Sequence, residues 1–280
     1  MVGEMTFATP GVRSLDYQPC NYGDSGLSFR GPKRDLGGDY LAFLGGTETY
    51  GKFIARPYPA LVEATTGLTC VNFGLNAAGL DVYLNAPRVL DAAARARICV
   101  VQVMGAQNLS NRFYAVHPRR NDRFIRASQL MQTIFREVDF TEFHFTRHML
   151  GRLATVAPER FRLVVDEVQQ AWVARMGTLL TRLETEVVML WFADHAPEER
   201  MDPTGAEQDP FGIERWMIER LRPRVARVIE VVASPAALAH GTDGMIYADM
   251  DEPVARGLMG PAAHDEAACA VVDALAGLLQ

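Results

Sequence analysis

Five short apolar runs recur along the chain, each closing on Gly, Asp or Ser: "DYLAFLG" (39–45), "LTCVNFG" (68–74), "ICVVQVMG" (98–105), "EVVMLWFAD" (186–194) and "VARVIEVVAS" (225–234). Runs of this length without polar alternation suit strands that a parallel sheet buries on both faces. The intervening segments read as helices. One covers 50–65, where Pro57 and Pro59 impose a break or a late start, and another covers 82–96. "GIERWMIERL" (212–221) supplies a third, and the small and apolar residues of 263–279 a closing one. Strands alternating with helices demand crossovers, which are right-handed. The pattern predicts an α/β fold: a three-layer α/β/α sandwich around a flavodoxin-like, mostly parallel five-stranded sheet.

Two stretches stand outside the alternation. Residues 1–37, rich in Gly and Pro, predict an irregular N-terminal arm lying on a domain of 38–280. About 106–184 forms a lid-like helical insertion after the third strand, rich in His, Arg and aromatic residues. Its long helix, near 160–183, carries Phe161, Val164, Val165, Val168, Trp172, Met176 and Leu179 at helical spacing, which reads as a core face rather than a cofactor box.

In open α/β sheets ligands gather beyond the carboxyl ends of the strands. That rule selects 45–49, 74–78, 105–110 and 194–197. At the first, "GGTETYG" (45–51) lacks the Lys-Ser/Thr pair of a phosphate loop and the three-glycine spacing of a dinucleotide fingerprint, and Glu48 would oppose a pyrophosphate. A hydroxyl between a strand and a helix start sits where backbone N–H groups favour an anion. Thr47 or Thr49 is then either a nucleophile or a helix cap.

The order of these strand-end motifs resembles the SGNH (GDSL-like) hydrolase superfamily over about 39–115 and 186–280. "GGTETYG" resembles its first block, with Gly46 at the Asp position and Thr47 at the nucleophilic Ser; "VNFG" supplies Asn72 and Gly74 of the second. "GAQNLSN" resembles the third, with Gln107 and Asn108 at its Asn and Asp positions, and His264 stands where the family has its base, before the closing helix. The whole chain also resembles an uncharacterised bacterial family in which "FLGGTETYGKF" and "VVQVMGAQNLSNRFY" recur.

The superfamily resemblance implies an SGNH-like hydrolase or acyltransferase acting on an ester. Thr47 would attack the carbonyl, His264 would take and return the proton, and the Thr47 and Gly74 N–H groups with the amide of Gln107 or Asn108, beside Gly46, would hold the oxyanion. The Thr methyl restricts χ1, so Thr for Ser is not a neutral exchange. The family's Asp three residues before the His is Pro261 here. The orienting carboxylate must come from elsewhere, with Asp194 first and Asp249 and Asp251 as further candidates. Asp194-His195 is a second candidate pair, with His195 expected to line the cleft beside Glu48, Tyr50 and Asn72.

The insertion concentrates His117, Arg119, Arg120 and Arg123, then His144, Arg147 and His148. Guanidinium forks suit a phosphate, sulfate or carboxylate, so Arg119 and Arg120 point to a small anionic substrate. A solvated or dimer-contacting lid is the bland alternative. His144 and His148 at i, i+4 could share a helix face, but without HExxH or a third ligand no metal or other cofactor is predicted. "DHAPEERMDPTGAEQDPFG" (194–212) reads as a polar loop bordering the site.

Composition narrows the partners. At 280 residues and 49% hydrophobic the chain can bury a substantial core, and its net charge of −6 opposes nucleic-acid binding. No membrane span and no secretory signal are expected. Cys20, Cys70, Cys99 and Cys269 form no CxxC pair and read as reduced, buried thiols of a cytoplasmic protein. A homo-oligomer stays open. The competing functions are a non-catalytic ligand- or partner-binding protein on the same fold and a group transferase using an anionic donor.

Overall fold

The computed structural model describes residues 15–198 and 209–279. Its strands are β1 (Tyr40–Leu44), β2 (Thr69–Asn72), β3 (Ile98–Gln102), β4 (Tyr114–His117), β5 (Arg120–Ala127), β6 (Glu186–Ala193) and β7 (Arg227–Val232). A five-stranded sheet has the order β2-β1-β3-β6-β7, and β4 and β5 form a separate two-stranded sheet. Every pair in the larger sheet is parallel, for example Leu41 opposite Ile98 and Val100 opposite Val188. This is the doubly wound order in which the chain reverses direction of growth at β1 and β3.

Side chains alternate between the faces of the strands. Ala42, Leu44, Cys99, Val101, Met189 and Trp191 join one core, and Leu41, Phe43, Ile98, Val100, Leu190 and Phe192 join the other. Both faces are covered, which is why the strands read as unbroken apolar runs.

The helices fill the two outer layers. The predicted 50–65 helix is two elements, α1 (Thr47–Tyr50) and α2 (Tyr58–Thr66), separated where Gly51 adopts a left-handed φ of 73° and Pro57 precedes the new start. The 82–96 helix is likewise divided into α3 (Leu80–Leu84) and α4 (Pro87–Ala94), because Pro87 suits a first helical turn and cannot continue an earlier helix. Short α5 (Gln129–Ile134) and α6 (Thr146–Val156) lead into α7 (Pro158–Arg182). After β6 come α8 (Arg215–Leu221), α9 (Pro235–Ala239), α10 (Glu252–Ala255) and α11 (Pro261–Ala276). The first core takes residues of α3, α4, α7 and α8, and the second takes those of α2, α9 and α11.

The segment 106–184 is not one helical lid. It opens with the β4–β5 hairpin, whose register is broken by irregularities on both sides of Val116. It ends in α7, which belongs to the sandwich: Phe161, Val164, Val168, Trp172, Met176 and Leu179 are fully buried. At about 1.5–3 kcal/mol for each buried side chain, undocking α7 would cost on the order of 10 kcal/mol. That helix is a wall of the domain. Only the hairpin, α5 and α6 are left to cover a site.

Of the arm, residues 1–14 lie outside the described residues. The rest is docked: Cys20 and Phe29 exchange backbone hydrogen bonds of 2.9 and 2.8 Å, and Phe29 is buried against Tyr22 and Phe73. Arg30 donates to Gly51 O at 2.6 Å, Tyr50 O at 3.3 Å and Ala55 O at 2.8 Å, gathering the carbonyls at the end of α1. Cys20, Cys70 and Cys99 are buried thiols, but Cys269 is exposed, against expectation, on the outer side of α11. Among the described residues no helix is long and apolar enough to cross a membrane.

Candidate active site

At the end of β1 the chain makes a close turn against β3. A Cβ on Gly45 would lie 2.0 Å from Thr49 Oγ1 and 2.6 Å from Gln102 Oε1, so only glycine fits. Gln102 Oε1 accepts from Gly46 N at 3.1 Å, Thr49 N at 3.2 Å and Thr49 Oγ1 at 2.6 Å. The Thr49 hydroxyl has spent its proton there, so the Tyr58 hydroxyl donates to Thr49 Oγ1 at 2.8 Å. Gly46 is the N-cap of α1 and no side chain caps this helix from within. Gln102 supplies the acceptor instead, from the neighbouring strand. Neither Thr47 nor Thr49 is a cap of its own helix.

Thr47 faces the β2 loop. Its Oγ1 accepts the Ala77 amide at 2.9 Å, with Ala77 held at φ 50°, a conformation uncommon for a residue with a Cβ. Asn108 Nδ2 donates to Ala77 O at 3.0 Å, and Asn108 Oδ1 accepts from Thr146 Oγ1 at 2.7 Å. A continuous series of bonds thus runs from Thr47 through the β2 and β3 loops to the first residue of α6. Because Thr47 Oγ1 already accepts an N–H, its own proton is available to a base. The Thr47 and Glu48 amides are first-turn donors with no acceptor inside α1.

Several predicted binding groups are engaged elsewhere. Gly74 N donates to Asn72 Oδ1 at 2.8 Å, and Asn72 Nδ2 donates to Thr49 O at 2.7 Å, so both brace the turn rather than face a ligand. The amide near Thr47 is that of Ala77. The Tyr50 ring lies 5.1 Å from that of Tyr17 of the arm, tilted by 40°. Arg119 and Arg120 are exposed at the hairpin turn, where their amides both bond His117 Nδ1 at 3.2 Å. Gln107 Nε2 reaches Asp209 Oδ1 at 3.4 Å, and its buried Oε1 has no hydrogen-bond partner among the described residues.

A cleft of about 990 Å³ opens over these strand ends. Gly46, Thr47, Glu48, Gln107, Asn108, Asp194 and His195 line it, as do Asp122, Arg147 and His148 from the hairpin and α6. Pro253, Val254, Leu258 and Met259 give it an apolar wall. Burial raises the Asp122 carboxyl above its ordinary value, an effect that Arg123 and then Arg120 and His117 partly offset. Arg147 approaches Asp209 at 3.6 Å. α6 starts at Thr146, so His144 precedes it and does not share a helix face with His148. Among the described residues no group of three or more His, Cys, Asp and Glu is arranged to hold a metal ion. Of the 194–212 loop, 199–208 lie outside the described residues.

The two candidate histidines have different surroundings. His264 lies inside α11, not before it, and is 0% exposed. Its ring stacks on Tyr58 and meets Phe192 edge-on; Nδ1 accepts the Tyr58 amide at 3.2 Å, and Nε2 stands 3.5 Å from Glu48 Oε2. The nearby carboxylate is Glu48, whose Oε1 also takes the Met259 amide at 3.4 Å. Asp249 and Asp251 belong instead to a short 3₁₀ turn, with Asp249 exposed. His195 Nδ1 is 2.7 Å from Asp194 Oδ1, and Trp191 Nε1 donates to His195 O at 2.7 Å.

The sequence reading missed Gln102 and Ala77. A lone glutamine at the end of an apolar strand was the available signal for the first. The left-handed backbone of Ala77 leaves no mark in residue type.

The chain is similar to solved structures that include the following three. A catalytic mutant of the acetylxylan esterase Axe2 from Geobacillus stearothermophilus is 15% identical, with 84% of this chain and 93% of that one covered and a TM-score of 0.42. A protein from Desulfitobacterium hafniense ascribed to the lipolytic G-D-S-L family is 11% identical, covering 82% and 99%, with a TM-score of 0.39. A protein from Lactobacillus plantarum is 14% identical, covering 85% and 97%, with a TM-score of 0.38. At such scores neither fold nor chemistry is read from them; the fold rests on the strand order and layers above. A search of the curated proteins returned no match. The model of the family described as a domain of unknown function, DUF6473, matches residues 5–279, and the chain belongs to that family.

Proposed function

We propose that this protein is an esterase-like hydrolase or acyltransferase in which Thr47 is the nucleophile. One observation carries the reading: at the end of a buried strand, in the wall of the cleft, the Thr47 hydroxyl accepts the Ala77 amide and keeps its own proton to give away. Attack on an ester carbonyl would place the developing oxyanion at the Thr47 and Glu48 amides, the first-turn donors of α1, while the Ala77 amide stays on Thr47 Oγ1. The SGNH-like order of motifs agrees with this. The substrate is a small-molecule ester that extends from Thr47 along the Pro253–Met259 wall toward Arg147 and His148. An anionic group on that ester would meet these two cleft residues rather than Arg119 and Arg120, which do not line the cleft.

Hydrolysis of p-nitrophenyl acetate by matched variants tests the reading. Thr47→Ala should abolish turnover. Thr47→Ser, which removes the methyl that restricts χ1, should retain or raise it. Full turnover by Thr47→Ala would sink the proposal.

A further inference from the structure

The proton that Thr47 gives up needs an acceptor, and His264, the histidine of the motif pattern, is not placed to be one. Its Nδ1 accepts the Tyr58 amide, so its proton resides on Nε2, and that nitrogen faces Glu48 Oε2 at 3.5 Å. Neither nitrogen has a lone pair to offer a hydroxyl. The ring is fully buried between Tyr58 and Phe192, on the α2–α11 side of the sheet.

His195 has the opposite arrangement. Its side chain is 23% exposed and lines the same cleft as Thr47. Nδ1 donates to Asp194 Oδ1 at 2.7 Å, which leaves Nε2 as an acceptor. The backbone is fixed as well, since Trp191 Nε1 holds His195 O at 2.7 Å and the Trp191 ring meets the imidazole edge-on at 5.5 Å. β1 and β6 flank β3 in the sheet, so the strands that carry Thr47 and His195 stand about 10 Å apart. Both residues line the same cleft, so an ester bound there would lie between the hydroxyl and the imidazole.

We infer that His195, oriented by Asp194, is the general base for Thr47. This rests on the acyl-transfer reading above. Thr47 Oγ1 bonds the carbonyl carbon while its proton passes to His195 Nε2; the tetrahedral carbon then expels the alcohol oxygen, which takes that proton. Water repeats the sequence on the acyl-threonine, giving a proton to Nε2 and its oxygen to the carbon, and Thr47 Oγ1 leaves with the proton. Asp194 is a positioning residue throughout.

The test combines p-nitrophenyl acetate kinetics with fluorophosphonate labelling across pH, on variants whose folding is checked by thermal melting. His195→Gln should lower kcat and the labelling rate by about 100-fold or more and remove the acid limb of the profile. His195→Ala should regain turnover when imidazole is added. Asp194→Asn should lower kcat with KM held. His264→Asn, whose Oδ1 can still accept the Tyr58 amide, should keep the acid limb whatever its effect on melting. An acid limb that survives in His195→Gln and disappears in His264→Asn overturns the assignment. Thr47 labelling that ignores His195 removes the base alone, whereas no labelling of Thr47 in the unmodified protein removes the acyl-transfer reading and this inference with it.

Discussion

Asn108 Nδ2 holds the carbonyl of Ala77 at 3.0 Å, and the amide of that same Ala77 meets Thr47 Oγ1 at 2.9 Å. One side chain on the β3 loop therefore sets the orientation of a peptide on the β2 loop, and through it the environment of the hydroxyl. Asn108→Ala removes this brace and also leaves the buried Thr146 hydroxyl without its 2.7 Å acceptor. The expected cost is about 2 kcal/mol of stability, with kcat falling more than KM rises. Urea denaturation and steady-state kinetics check the two effects separately.

Gln102 accepts three hydrogen bonds from the turn that opens α1. Gln102→Leu keeps the volume but leaves those donors buried without an acceptor. It should destabilise the protein by roughly 3 kcal/mol, at about 1–3 kcal/mol for each group not rescued by water. Gln102→Glu retains an acceptor at a helix N-terminus and should recover most of that loss in the same denaturation experiment.

The contrast between Gln102 and the strand that carries it shows what was legible in the chain. β1, β3 and β6 are buried on both faces, so their apolar runs announced them, and α7 announced itself through Phe161, Val164, Val168 and Trp172. The hairpin did not: the breaks beside Val116 disrupt the two-residue period from which a strand is recognised. The site was legible as positions along the chain, not as contacts. Thr47, Gln107, Asn108 and Asp194-His195 sit at strand ends, as ordered motifs require, but which amide faces Thr47 depends on a left-handed Ala77. The burial of His264 was not legible, because the face that α11 turns to the sheet is set by packing against α2 and β7, which no local pattern records.

Arg30 ties the arm to the end of α1 through three carbonyl oxygens. Arg30→Met keeps the stem and loses the bonds. Melting should fall by a few degrees, and amide hydrogen exchange at 50–55 should accelerate relative to β3. Unchanged exchange there would show that the arm does not restrain the turn.

Asp122 lies at the cleft with its carboxyl raised above the ordinary 3.8 by burial. The folded state then binds this proton more tightly than the unfolded state. The associated stability is complete below pH 3.8 and is lost as pH rises through the raised value. Asp122→Asn should therefore be as stable as the parent near pH 3 and more stable at pH 7. Denaturation midpoints at the two pH values read the difference directly.

The proposed chemistry depends on Thr47 reacting as a nucleophile. Incubating the protein with a fluorophosphonate and mapping the adduct by peptide mass spectrometry asks this with the least intervening assumption. The expected result is a single adduct on Thr47, absent from Thr47→Ala. An unmodified Thr47 peptide, or an adduct on another hydroxyl that persists in Thr47→Ala, would contradict it.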